Sequence, residues 1–454
     1  MSVSVDPIPS ALAARPLEEP VVSASGLKFL TERRVLINEA HARPPVNVPL
    51  NSGVTRLTLT APSGPNGEDL AFLHLQRMCA ETSNAVPAEQ SKHHVFDAGS
   101  LRVIWERHTE FYSLTFIRSG IDDYTFQETA LSSVPKEWLT SQPGEILSAT
   151  HVLSLPSTVY ENPFEIAAKT FGRDDFPASR TGKVPMTMAT DFRTHADGFL
   201  RILIFDQGNG DAYRGRMVQR LLEMDAYRLA ALMALPVARY LSEELGKLEQ
   251  ELETILSKLA GTMEMQSDRA LLADLSLVAA RIEALEQETG FRMSASAAYY
   301  EVVRERIVRL REERTDSRQR IGTFMERRLG PAMRTCQATE QRLQKLATRV
   351  SRASQLLRTR VNVAVEEGNA RLLESLNKRS ETQLRLQETV EGLSVVALTY
   401  YAVGLVSYVA GAAVDAGIAV PKNLIVGLSV PIIASMTLLT MRRMRQRLHK
   451  DSGL

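Results

Sequence analysis

Two hydrophobic periods divide this chain, and the border between them falls near residue 210. Before it, apolar residues come in short, partly alternating runs rich in β-branched and aromatic side chains: residues 55–60, 101–105, 111–117, 146–153 and 199–205. Side chains of a strand point alternately to two faces, so a period of two predicts strands. Residues 27–41, 70–80 and 164–170 have helical composition instead. The first of these runs into Arg43, Pro44 and Pro45, where missing amide hydrogens and ring clashes end a helix. Residues 26–210 therefore read as one mixed α/β cytoplasmic domain, preceded by a tail, residues 1–25, whose composition predicts disorder.

From Asp211 onward the period lengthens to three and four, and residues 211–391 read as a helical stalk. Leucines 221, 222, 229, 232, 241, 245, 248, 252 and 256 are interrupted only by Pro236, and the later ones have the spacing of a coiled-coil seam. Further helical segments cover 268–289 and 294–328, with an expected break at Gly330 and Pro331. No proline then occurs before Pro421. One helix can run from Met333 for about 80 residues, roughly 120 Å at 1.5 Å per residue. Its Leu343, Leu346, Val350, Ala353 and Leu357 make a three-four stripe that needs a bundle or a second copy of the chain to bury it. Arg349, Arg352, Glu366 and Glu367 read as its solvated face.

The stalk ends in two runs without a charged residue, 392–414 and 423–441. About 20 apolar residues in a helix cross a hydrocarbon core of about 30 Å, so the expectation is a transmembrane hairpin in contact with the lipid bilayer. Arg442, Arg443, Arg445 and Arg447 follow the second run in a basic tail, residues 442–454, and Lys378, Arg379 and Arg385 precede the first. The connecting loop has Lys422 against Asp415 alone. Positive charge on the flanks and not in the loop puts both termini in the cytoplasm, in a multi-pass membrane protein. The first 25 residues lack a signal-peptide pattern, which agrees with that topology. Within the first run Ala397, Gly404 and Gly411 recur every seven residues with Ser407 beside them, and Gly427 and Ala434 share that interval in the second. Small residues let helices approach closely in lipid, so these positions are the expected packing face of a homo-oligomer.

Composition removes several functions. A formal charge of +1 with acidic and basic residues interleaved leaves no footprint for nucleic acid. Cys79 and Cys336 have neither metal nor redox spacing and fit a reducing compartment. His93, His94, Glu106, His108 and Glu110 are the densest set of potential ligands, but adjacent histidines of a strand face opposite ways. Arg43 and His41 beside the double proline are a candidate anion site. Gly208, Asn209, Gly210 and Asp211 read as a strand-to-helix turn with Asp211 as N-cap, since the glycine-lysine pair of a phosphate loop is missing. No catalytic residue, cofactor or metal ligand is assigned on these patterns, and no protein partner is named by them.

Several runs resemble a known family: residues 38–45 (Asn-Glu-Ala-His-Ala-Arg-Pro-Pro), 105–111 (Trp-Glu-Arg-His-Thr-Glu-Phe), 220–228, 331–336 and 389–404. They are similar in this order to the bacterial membrane-anchored proteins called domain of unknown function 3422. The resemblance spans nearly the whole chain; it implies anchoring and brings no activity. An architectural similarity links the chain to the pentameric magnesium channels with two transmembrane helices per subunit. Where those carry Gly-Met-Asn, this chain reads Gly-Ala-Ala-Val-Asp-Ala-Gly over residues 411–417. The reading is a non-enzymatic, oligomeric scaffold or regulatory module, with a divergent cation channel as the alternative.

Overall fold

A computed structural model describes residues 29–30, 33, 37, 46–62, 69–88, 91–160, 162–181, 184–261, 265–315, 318–416 and 421–451. The tail, most of the 27–41 segment, His41 and Arg43, and residues 417–420 of the loop between the apolar runs lie outside these. The chain forms two compact units, residues 1–254 with 276–351, and residues 255–275 with 352–454.

The first unit is built on strands β1 (Ser52–Thr60), β2 (His93–Ala98), β3 (Leu101–Arg107), β4 (Phe111–Ser119), β5 (Ile146–Pro156), β6 (Ala178–Thr181), β7 (Met186–Thr194) and β8 (Leu200–Asp206). They form a single sheet in the order β2-β3-β4-β1-β5-β8-β7-β6, antiparallel except where β5 runs parallel to β8. The alternating runs of the sequence correspond to β1, β3, β4, β5 and β8. Helices α1 (Leu70–Glu81), α2 (Lys136–Thr140) and α3 (Pro163–Phe171) precede α4 (Asp211–Leu232) and α5 (Ala234–Gly261). Then come α6 (Met265–Leu310), α7 (Ile321–Asp415) and α8 (Lys422–Asp451).

The central strands send alternate residues to two faces. On one face Leu57, Trp105, Leu114 and Phe116 pack with Leu75 and Met78 of α1, and Leu153, Leu203 and Phe205 pack with Ala167 and Phe171 of α3. The other face carries a buried polar cluster, Arg56, Thr58, Glu106, Ser113, Thr115, Ser148 and Thr150, beside buried Val54, Ile104, Ile117 and Val152. Register brings them together: Arg56 lies between Thr115 and Thr150, and Glu106 is opposite Ser113. Helix α4 covers this face with side chains such as Asp225, itself buried.

The expected break at Gly330 and Pro331 does not occur, because α7 begins at Ile321 and passes through Pro331. The chain turns instead between Leu310 and Ile321, where Arg311 is left-handed at φ 50° and Glu313 bridges to Arg180 on edge strand β6. Ser179 Oγ accepts the Ile321 amide at 3.0 Å, and both carboxylate oxygens of Glu312 accept the Gly322 amide at 3.0 Å. Two orphan donors of the helix start are thereby satisfied, which locates the break better than a proline whose loss is one bond. Asp211 is likewise not the N-cap of α4: Gly210 is, and Asp206 organises the turn by accepting the amides of Gly208 at 3.3 Å and Asn209 at 3.2 Å.

In the second unit Ile255, Leu271, Leu275, Ala353 and Leu357 are buried, and Arg360 pairs with Asp268 at 3.4 Å. As the proline-free sequence predicts, α7 is continuous through the first apolar run.

Candidate functional site

A group of buried ionisable side chains of the first unit lies between the sheet and α4. Arg56 pairs with Glu106 at 2.8 Å and donates to Ser113 Oγ at 2.7 Å, with side chains only 5% and 6% exposed for the two charged partners. Farther along, Asp225 Oδ2 accepts from Ser148 Oγ at 2.5 Å and Thr150 Oγ1 at 2.8 Å, and its other oxygen takes Arg228 Nε at 2.7 Å. At the strand-to-helix turn Arg214 is buried, bonding Asp206 and Asp211 and donating to the carbonyls of Val48 and Asn209, each at 2.8 Å.

A cavity of about 20 Å³ adjoins Arg56, Glu106 and His93 under α4. That is room for roughly one water, far below the 300–1,000 Å³ or so of small-molecule sites. Among the described residues Arg56 Nε, Thr58 Oγ1 and Ser154 Oγ are buried without a protein partner, so the nearest of them suit a bridging water. Chemically the layer is closed: its buried charges neutralise one another, and it holds the helix to the sheet in one register.

The residues singled out on sequence fall into separate environments. His93 is opposite Glu106, whereas His94 is opposite Trp105 on the other face and stacks on Phe96 at 5.8 Å. His108 stacks on Phe111 at 4.4 Å, with Nδ1 3.2 Å from the Tyr227 hydroxyl. Glu110 takes Arg292 and accepts from the Tyr299 hydroxyl at 2.7 Å. Burial and this carboxylate both push the Tyr299 phenol up. No group of three His, Cys, Asp or Glu among the described residues is placed to hold a metal. His151, which sequence reasoning passed over, is hydrogen-bonded to Thr55 at 2.7 Å and stacked on Phe199 at 4.0 Å; burial lowers it to about 4. It is neutral at pH 7 and belongs to the packing. Arg56, Asp206, Arg214 and Asp225 were also missed; Arg56 and Asp225 stand among apolar neighbours, and Asp206 and Arg214 have no such signal.

Two helices, α7 and α8, are long and apolar enough to cross a membrane. On the packing face expected in α7, Ala397 is exposed and Gly404, Ser407 and Gly411 are half-buried. A Cβ on Gly404 would meet nothing within 4 Å; on Gly411 it would meet Lys422 Nζ at 3.3 Å. Arg442 and Arg443 are exposed on α8, and Arg445 and Arg447 follow in the same helix.

Fold and site together define a mixed α/β protein with a closed, ion-paired layer on one sheet face and a long helical region ending in two apolar helices. The chain belongs to the family described as Protein of unknown function (DUF3422), which matches residues 30–448. No curated protein matches the chain.

Proposed function

We propose that the protein is a non-enzymatic, oligomeric scaffold or regulatory module anchored in the bacterial inner membrane, with both termini in the cytoplasm. The observation that carries this reading is exposed apolar surface: Leu393, Tyr401, Leu405 and Val409 of α7 and Leu428, Ile432 and Leu439 of α8. Removing such surface from water is worth about 25 cal/mol per Å², so contiguous stretches of this size need a partner phase, and a bilayer supplies it.

A reporter active only outside the cytoplasm tests the topology: silence is expected when it follows Leu454 and activity when it is inserted beside Ala416. The reverse pattern refutes the assignment. Replacing Arg442, Arg443, Arg445 and Arg447 together is expected to scramble the orientation, because they carry most of the charge bias.

The small-residue face gives a second test. Gly404→Leu is expected to weaken self-association in membranes by roughly tenfold, about 1.4 kcal/mol, because close backbone approach drives packing where lipid offers no hydrophobic gain. Val403→Leu, off that face, should crosslink like wild type. Equal behaviour of the two variants would remove the face from the interface.

A further inference from the structure

The apolar face of α7 changes sides part-way along the helix. Up to Leu357 the buried positions are Leu343, Leu346, Val350, Ala353 and Leu357. Carrying the same three-four spacing onward leads through Arg360 and Ala364 to Glu367, Glu374, Glu381 and Glu388 at seven-residue intervals. Arg371, Lys378 and Arg385 stand four residues after the first three of these, so the sign of charge alternates at every step. Two of the resulting pairs close, Arg371 to Glu367 at 3.8 Å and Lys378 to Glu374 at 3.1 Å. The face that was buried within the chain has become a solvated one.

The apolar residues reappear half a turn away as Val365, Leu372, Leu376, Leu386, Val390 and Leu393, with Asn369, Arg379 and Gln383 completing the three-four spacing. Every residue from 365 to 390 is exposed. The next members of the same spacing are Ala397, Tyr400, Gly404, Ser407 and Gly411, so the seam enters the apolar run without a change of register. A straight α-helix drifts about 20° per heptad against a strict seven-residue repeat, and a sequence that keeps the repeat over several heptads is matched to a left-handed supercoil with another helix.

We propose that this second face of α7 is a parallel coiled-coil interface with a second copy of the chain, in one register with the Ala397, Gly404 and Gly411 face. Three observations favour a second copy over a different protein. From 368 to 389 the positions flanking the seam are Gly368, Leu373, Ser375, Ser380, Thr382, Gln387 and Thr389, all uncharged, with Glu366 beside Val365 the one flanking charge at its start, whereas selection of an unlike partner works through charge there. Asn369 and Gln383 have amide groups that satisfy each other when like meets like, and such layers set register. The stripe from 365 to 411 is roughly 70 Å long and about 10–12 Å wide, near the 800 Å² or so per partner of a specific interface. Arg379 lies in the seam too; its long stem lets the guanidinium reach water at a cost in stability. The parallel orientation rests on the membrane-anchored reading, because copies held by the same span point the same way.

The test uses the full chain in its native membranes, with single cysteines and copper-phenanthroline as oxidant. L372C, L386C and L393C are expected to give about tenfold more disulfide-linked dimer than E374C, E381C and E388C, because a disulfide needs Cβ atoms within about 4.5 Å. All six positions are exposed, so the substitutions leave the protomer's packing intact, and wild type is the blank because Cys79 and Cys336 are buried. Equal crosslinking on both faces, no product from the seam positions, or a product heavier by something other than one chain overturns the interface. Alkaline carbonate extraction separates the two readings. A chain that stays in the membrane without seam crosslinks refutes the coiled coil alone. A chain that washes out refutes the anchoring, and with it the parallel orientation.

Discussion

Arg56→Ala is expected to destabilise the protein by about 3–5 kcal/mol, the usual consequence of removing one member of a buried ion pair. Glu106 would remain under α4 with its side chain only 6% exposed, and Ser113 would lose its donor. The net worth of a buried ion pair against an apolar substitute is a different quantity, often zero or negative. Hence the sharper expectation is for the double replacement Arg56→Met with Glu106→Leu, which should recover most of the loss. Urea unfolding of the detergent-solubilised chain, followed by tryptophan fluorescence, measures both, since Trp105 is next to Glu106 in β3. A single variant within about 0.5 kcal/mol of wild type, the range of ordinary surface changes, would mean that water reaches the pair.

Gly215→Ala acts on the same layer by steric means. A Cβ on Gly215 would lie 1.6 Å from the Val46 carbonyl oxygen and 3.3 Å from the Val48 amide. These are backbone atoms and have no rotamer to change. The segment is held by the Val48 amide donating to the Asp211 carbonyl at 3.2 Å and by Arg214 on the Val48 carbonyl, so α4 and residues 46–48 must separate. Overpacking of this kind costs about 1–3 kcal/mol. The Val48 amide should also lose hydrogen-exchange protection. Gly210→Ala is the control: its Cβ meets nothing within 4 Å and its φ of −66° suits any residue. As the N-cap of α4 it should lose no more than about 1 kcal/mol, and an unchanged exchange rate at the Val48 amide in Gly215→Ala would refute the close approach.

Much of the fold was legible because period is a local property. Residues 111–117 alternate and form β4, and the proline-free run after Met333 lies in one helix. Strand β2 was legible only as the strand-like pair His93 and His94; its extent and its place at the sheet edge come from pairing with β3. Pro331 misled for a related reason. A proline costs a helix one bond, and the capping of Ile321 and Gly322 by Ser179 and Glu312 decided where the helix starts.

The site was the least legible part. Arg56, Ser113, Thr115, Ser148 and Thr150 alternate with apolar neighbours as a solvated strand face does, and no feature of the chain tells a polar face awaiting water from one awaiting a helix. By itself the sequence determined the periodic elements, the uncharged runs and the heptads of α7, since each depends on side-chain spacing along one segment. The tertiary structure alone decided that α4 lies over the polar face and that Glu106 meets Arg56 and Asp225 meets Ser148, partners 50 and 77 residues apart. Burial and charge pairing are set by what covers a face, and that cover comes from distant chain.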